Sequence, residues 1–192
     1  MNDIPGSQLV GCRRPMRVGR LAADRLVEVW TRCASRTVKY GFRLAYADLE
    51  PPRTGIFDGL EIAIDPDVPF EMQCFVLLHL FGHSVQWVAP DLAGMVDSLQ
   101  NTTEMPAFMQ VLHDYELQAG RLGMQLLHEA GVRDLDDWYS DFVATDWRYV
   151  ERFYQTGNIP PWEECLTQAN QTLLPMAIPP LVHRRVEVRY AF

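Results

Sequence analysis

The distribution of apolar and polar residues divides the first half of the chain into a helix, two strands and a second helix. Apolar residues recur at intervals of three and four over about 19–35, which predicts an amphipathic helix. Apolar and polar positions then alternate over 37–49 and again over 55–67, which predicts two strands of a small sheet. The following stretch, 68–88, is almost wholly apolar and predicts a buried helix.

The second half of the chain is mainly helical until prolines become frequent. Segment 90–106 is typical of a connector with one helical turn, and two long amphipathic helices are predicted over 106–131 and 134–157. Beyond them prolines exclude long helices, although a short one fits 161–174. The alternation in 181–192 predicts a closing strand.

These elements predict an α+β fold in one domain. A chain of 192 residues is long enough for one domain with its own core and too short for two ordinary ones. We expect residues 1–17 to form a flexible N-terminal arm and residues 18–157 to form the domain. Residues 158–192 are expected to form a proline-rich C-terminal extension that packs on the domain.

The composition of the chain argues against several classes of protein. A net charge of -8 and a pI near 5.0 argue against general nucleic-acid binding, which needs a positive surface. No stretch has the apolar length of a signal peptide or a membrane span, so we expect a cytoplasmic protein without membrane contact. The cysteines are never in a Cys-x-x-Cys arrangement, which favours free thiols in a reducing compartment. They are Cys12, Cys33, Cys74 and Cys165.

Two histidines in the predicted buried helix have the spacing of metal ligands. His79 and His83 are four residues apart, so their side chains project side by side and both imidazoles could reach one metal ion. A zinc ion in such a site takes its third ligand from another segment and keeps a fourth position for water. Two core histidines that only form hydrogen bonds are the alternative, because the same spacing also arises by chance.

The next long helix offers a carboxylate that would complete the ligand set. Glu116 lies in the middle of this helix and shares a face with Ala119. Asp114 is its nearest rival, and Glu104 precedes the helix. His113, three residues before Glu116, is an alternative ligand or a group that supports one.

Three segments together resemble a known family. A strand with the sequence GLEIAID, a buried helix with FVLLHLFGHSVQW and a later helix with YELQAGRLGMQLL are similar to the ImmA/IrrE family of zinc metallopeptidases. The resemblance places the family's metal-binding histidines on His79 and His83, its glycine on Gly82, and its third ligand, in a Glu-x-x-Ala setting, on Glu116 with Ala119.

The resemblance covers roughly residues 20–130 and implies a fold and a cofactor. The fold would be a zincin-like (minigluzincin) domain, in which a small mixed sheet packs on a buried metal-binding helix and further helices. The cofactor would be Zn²⁺, and a protein would be the partner or the substrate. Whether the chain forms oligomers does not follow from the sequence.

The sequence departs from the family at the residue that performs the chemistry. In the family a glutamate follows the first histidine and acts as the general base, whereas this chain has Leu80. General-base catalysis contributes about 10² to 10⁴ in rate, so we expect a regulatory pseudoenzyme, inactive or weakly active as a protease. One alternative is an active zinc metallopeptidase with a base from elsewhere, such as Glu71 or Glu104. The other is a metal-free protein-interaction scaffold.

Overall fold

Helices and one small sheet follow each other along residues 21–186, the range that the computed structural model describes. The first elements are α1 (Ala23–Lys39), β1 (Arg43–Tyr46), β2 (Gly55–Phe57) and β3 (Glu61–Ile64). They are followed by α2 (Phe70–Val88), a 3₁₀ turn (Pro90–Leu92), α3 (Ala93–Asn101), α4 (Met105–Glu129), α5 (Asp136–Thr156) and α6 (Trp162–Cys165). The predicted α+β class is therefore confirmed.

The sheet is mixed, with β3 in its centre. Strand β1 runs parallel to β3, with Leu44 opposite Ile62, and β2 runs antiparallel to β3, with Ile56 opposite Ala63. Since the strand order is β1-β3-β2, strand β2 lies at an edge of the described sheet. The face that β3 turns inward is buried against α2 and the rest of the core.

The prediction of one strand over 55–67 is wrong, because a tight turn divides the segment into the hairpin of β2 and β3. The carboxylate of Asp58 accepts hydrogen bonds from the backbone N–H of Leu60 at 3.0 Å and of Glu61 at 2.9 Å. Gly59 has φ +83°, a conformation that glycine adopts without steric cost. An Asp-Gly pair between apolar stretches is a strong hairpin signal, which an interpretation based on alternation alone overlooks.

The strand predicted over 37–49 is also wrong in its first part, which belongs to α1. The hydroxyl of Thr37 donates to the carbonyl of Cys33 at 2.9 Å, as expected inside a helix. Helix α1 ends only where Gly41, with φ +94°, reverses the chain. The alternation that suggested a strand here comes from exposed positions in the last helical turn, such as Val38.

The remaining elements differ from the predictions mainly at their ends. The buried helix and the two long helices are confirmed as α2, α4 and α5. The connector over 90–106 contains a full helix, α3, rather than one turn. The closing strand is wrong for residues 181–186, which form no strand, and its residues 187–192 lie outside the described range. The predicted arm, residues 1–17, also lies outside that range.

The segment after α5 crosses the surface of the domain without regular structure apart from α6. Backbone hydrogen bonds attach it at several places, from Leu173 to the Ser140 hydroxyl at 2.8 Å and from Met176 to the Arg121 carbonyl at 3.0 Å. Val182 donates in the same way to the carbonyl of Val88, at the end of α2. The segment therefore contacts α5, α4 and α2 in turn.

Two smaller expectations concern the cysteines and the membrane. The three cysteines of the described range, Cys33, Cys74 and Cys165, are buried and form no disulfide there. Among helices of residues 21–186, none combines the length and the apolar character that crossing a bilayer requires.

Helices α2 and α4 cross unusually closely, because glycine lies at the point of contact on each of them. A Cβ atom at Gly82 of α2 would lie 2.1 Å from the backbone carbonyl oxygen of Ala119 in α4. In the same way, a Cβ at Gly123 of α4 would lie 2.6 Å from the carbonyl oxygen of Leu78 in α2. No heavy atom tolerates such distances, so a side chain at either position would force the helices apart.

The crossing predicts the effect of one added methyl group. We expect Gly82→Ala to destabilise the protein by about 1–3 kcal/mol, because backbone atoms of Ala119 cannot move aside as a flexible side chain would. Urea unfolding followed by circular dichroism measures this free energy.

Gly94→Ala in α3 is the matched control, since a Cβ there meets no heavy atom within 4 Å. The control should be unchanged or more stable by up to about 1 kcal/mol, because alanine favours a helix more than glycine does. Equal unfolding midpoints for Gly82→Ala and the wild type would contradict the close crossing.

Candidate metal centre

The crossing of α2 and α4 brings three candidate ligands to one point. His79 and His83 lie one turn apart on α2, and Glu116 faces them from α4. His79 Nε2 lies 3.0 Å from Glu116 Oε2 and 3.0 Å from His83 Nε2, and His83 Nε2 lies 3.2 Å from the same carboxylate oxygen. All three residues are buried, and the group could hold a metal ion.

Gln86 determines which nitrogen of His83 carries the proton. The Gln86 amide nitrogen donates to the backbone carbonyl of Tyr115 at 2.8 Å, and a carbonyl can only accept. The Gln86 amide oxygen must therefore be the atom that lies 2.9 Å from His83 Nδ1, and His83 must donate to it. When the ring is neutral, its Nε2 consequently presents a lone pair to the centre of the group.

In this tautomer, hydrogen-bond acceptors face one another. A cation between them would relieve this unfavourable contact. His83 Nε2 and Glu116 Oε2 both accept hydrogen bonds and cannot donate to each other across their 3.2 Å. His79 can offer one proton to this pair, whereas a divalent cation would attract all three atoms together. Within residues 21–186, Glu116 Oε1 and His79 Nδ1 are also buried without a hydrogen-bond partner. The donor set therefore fits a metal ion.

The ionisation of Glu116 supports the same conclusion, whereas a proton on His79 would compete with a metal ion. Burial would raise the pKa of Glu116, but His83 and His79 lower it to about 2. Burial would lower the pKa of His79, but the neighbouring carboxylates of Asp146 and Glu116 outweigh it and raise that pKa. At neutral pH Glu116 is therefore ionised, as a carboxylate ligand of a metal must be.

Aromatic rings hold the imidazoles in place. His83 is stacked between Phe57 of β2, at a centroid distance of 6.0 Å, and Tyr115 of α4, at 4.7 Å. The Tyr115 hydroxyl in turn accepts a hydrogen bond from the Trp87 indole at 2.8 Å. His79 stacks on Phe75 at 5.5 Å. These contacts reduce the rotational freedom of both rings, so little ordering would be needed on metal binding.

A cavity of about 510 Å³ opens next to the histidines, bounded by β2, α2, α5 and the segment around α6. Most of its lining is apolar, and its polar side chains include His79, His83 and Asp146. Leu80 also lines it and lies close to Gly55, where a Cβ would come within 2.6 Å of a Leu80 methyl group. Position 80 therefore presents an apolar side chain to the cavity.

The structure brings together His79, His83 and Glu116 and leaves the other candidates outside. Asp114 is exposed and accepts a hydrogen bond from Gln110, and Glu104 is exposed at the start of α4. The His113 side chain is 40% exposed and packs on Trp147. None of these side chains belongs to the ligand group.

Two residues of the site were not identified from the sequence. Gln86 lies three residues after His83, so helical spacing alone places it beside that ring. Asp146 lies on α5 with its Oδ2 atom 3.4 Å from His79 Nε2. Burial raises the pKa of Asp146 to about 6, with His79 opposing the rise and Glu116 adding to it. The sequence does not distinguish Asp146 from the other acidic residues of α5.

Comparison of the chain with models of protein families, with curated proteins and with solved structures gave no match. The interpretation of this site therefore depends on its own geometry.

The role of Gln86 can be measured through metal affinity. We expect Gln86→Leu to weaken zinc binding about 10- to 100-fold, because His83 loses the acceptor that fixes its tautomer and orientation. Competition with a chromophoric chelator gives the Kd. Gln110→Leu, an exposed position on α4, is the control and should bind zinc as the wild type does. Wild-type affinity in Gln86→Leu would contradict the orienting role.

Proposed function

We propose that this chain is a zinc-binding protein with a zincin-like fold, related to the ImmA/IrrE metallopeptidases and lacking efficient peptidase activity. The observation that carries the proposal is the convergence of His79 Nε2, His83 Nε2 and Glu116 Oε2 within one buried group. Two imidazoles separated by one helical turn and a carboxylate from a second helix form a donor set typical of zinc sites in hydrolases.

The contacts between the helices support the proposed kinship. The resemblance assigns a glycine before the second histidine and an alanine three residues after the glutamate. Here Gly82 lies directly against the backbone of Ala119 at the crossing of α2 and α4. The lack of a side chain at Gly82 therefore helps to bring Glu116 to the histidines.

Leu80 supports the loss of efficient proteolysis. A bound zinc ion would supply Lewis-acid chemistry, but peptide hydrolysis by such sites also needs a group that accepts and returns a proton. Leu80 faces the cavity where the family's glutamate would act, and its side chain cannot exchange a proton. Binding of a protein segment in the apolar cavity, in a regulatory role, is the function that this combination favours.

An active peptidase would need a base from another element. Glu71 is not suited, because it is buried and accepts a hydrogen bond from the Trp138 indole at 2.9 Å. Glu104 is exposed and does not line the cavity. Among the described residues, the carboxylates that line the cavity are Asp146 and Glu163. Asp146 is the one that contacts a candidate ligand, and it is the observation in favour of this second candidate function.

Metal analysis tests the proposal directly. The purified full chain should contain about one zinc ion per molecule after exposure to zinc and removal of the excess, as one ligand group implies. His79→Ala and Glu116→Gln should lose most of this zinc. His113→Ala removes a histidine outside the site and should retain it. A wild-type protein that binds no zinc would overturn the proposal and favour a metal-free scaffold.

Restoring the base tests the explanation for the lost activity. If the ion keeps one position for water, zinc-loaded Leu80→Glu should cleave an unfolded fluorescent casein at least about 100-fold faster than the wild type, because the new carboxylate would enter the cavity beside His79. Leu80→Gln, of equal size but unable to act as a base, is the control and should stay inactive.

Two outcomes would contradict this explanation. Wild-type cleavage that disappears in His79→Ala would show an active peptidase with another base. A zinc-loaded Leu80→Glu variant without any gain would show that more than the base is missing, such as the position that water takes on the ion.

A further inference from the structure

Asp146 is a second carboxylate at the centre, supplied by a third helix. Its Oδ2 atom lies 3.4 Å from His79 Nε2, the nitrogen that also contacts Glu116 and His83. The Asp146 side chain is 18% exposed and lines the cavity next to both histidines. It therefore approaches the ligand group from the side of α5, whereas the other three residues come from α2 and α4.

The separations within the group of three, and the one between His79 and Asp146, are close to the edges of a coordination tetrahedron. Ligand distances of about 2.0–2.1 Å from zinc place neighbouring ligand atoms about 3.3–3.4 Å apart. The measured separations within the group of three are 3.0, 3.0 and 3.2 Å, and the one from His79 Nε2 to Asp146 Oδ2 is 3.4 Å. Asp146 thus lies as far from His79 as a neighbouring ligand would, but it lies outside the compact group of three. Its carboxylate would therefore have to turn toward the ion when the metal binds.

The charge balance favours two carboxylates over one. Two neutral imidazoles and Glu116 would leave a divalent ion with a net charge of +1 in a largely buried site, which is costly without a further anion. With Asp146 ionised as well, the charges of the ion and its ligands cancel. Within residues 21–186, the acidic side chains in contact with His79 are those of Glu116 and Asp146.

We propose that Asp146 is a fourth ligand of the metal, so that one ion joins α2, α4 and α5. The inference rests on the proposed function, because it requires that a metal binds between His79, His83 and Glu116. A site with four protein ligands is typical of structural zinc, whereas a hydrolytic site keeps one position for water or substrate. Asp146 as a ligand would therefore account for a metal centre that no longer needs a glutamate at position 80.

The first experiment compares zinc affinity in Asp146→Asn and in Glu163→Gln of the full chain. Both variants remove a negative charge from the cavity lining. Glu163 is the control because it is exposed and does not belong to the ligand group. We expect Asp146→Asn to weaken zinc binding by more than about 100-fold, beyond the usual effect of a group that only supports a ligand, and Glu163→Gln by less than about threefold. The visible spectrum of the Co²⁺-loaded protein should change only in Asp146→Asn.

A second measurement does not depend on the variant folding. In a crystal structure of the zinc-loaded wild type, an Asp146 oxygen should lie about 2.0–2.2 Å from the ion. A solvent molecule in that position, with Asp146 hydrogen-bonded to it, would overturn the inference and favour Asp146 as the base of an active peptidase. Unchanged zinc affinity in Asp146→Asn would also overturn it. A wild type that binds no zinc would overturn the proposed function itself, so the two failures are distinguishable.

Discussion

The close contact between α2 and α4 is the constraint on which the site depends. A carboxylate on one helix reaches two histidines on another only if the helix axes approach closely, and side chains at the crossing would prevent this. Gly82 and Gly123 each place bare backbone against the carbonyl of the opposite helix. Because neither helix can slide without creating a clash, the positions of His79 and Glu116 follow from the packing of the backbone.

The polar contacts of the site are consistent with this rigid arrangement. Gln86 spans the two helices, since it bonds His83 on its own helix and the carbonyl of Tyr115 on the other. Tyr115 in turn stacks on His83 and accepts a hydrogen bond from Trp87. A buried polar network of this kind stabilises a protein only when its members are satisfied. Where the acceptors His83 Nε2 and Glu116 Oε2 face each other, a cation would relieve the unfavourable contact.

Much of the fold and part of the site could be predicted from periodicity and spacing. The long helices were predicted because their apolar stripes extend over many turns, and the histidine pair because spacing within one helix is local information. The hairpin at Gly59 was missed because alternation continues on both sides of a turn that only the Asp-Gly pair reveals. Asp146 was missed because its partner, His79, is distant in the sequence, and only the packing of α5 brings them together.

Leu80 separates the capacity to bind a metal from the capacity to use it. Metal binding requires the donor atoms and the helices that bring them together, all of which this chain has, whereas hydrolysis also requires a proton acceptor beside the ion. An apolar side chain at this position removes one buried charge from a site that already contains Glu116 and Asp146. A third carboxylate there would repel the other two and raise the cost of their burial. Leucine at position 80 is therefore compatible with the proposed site, in which both Glu116 and Asp146 bind the metal.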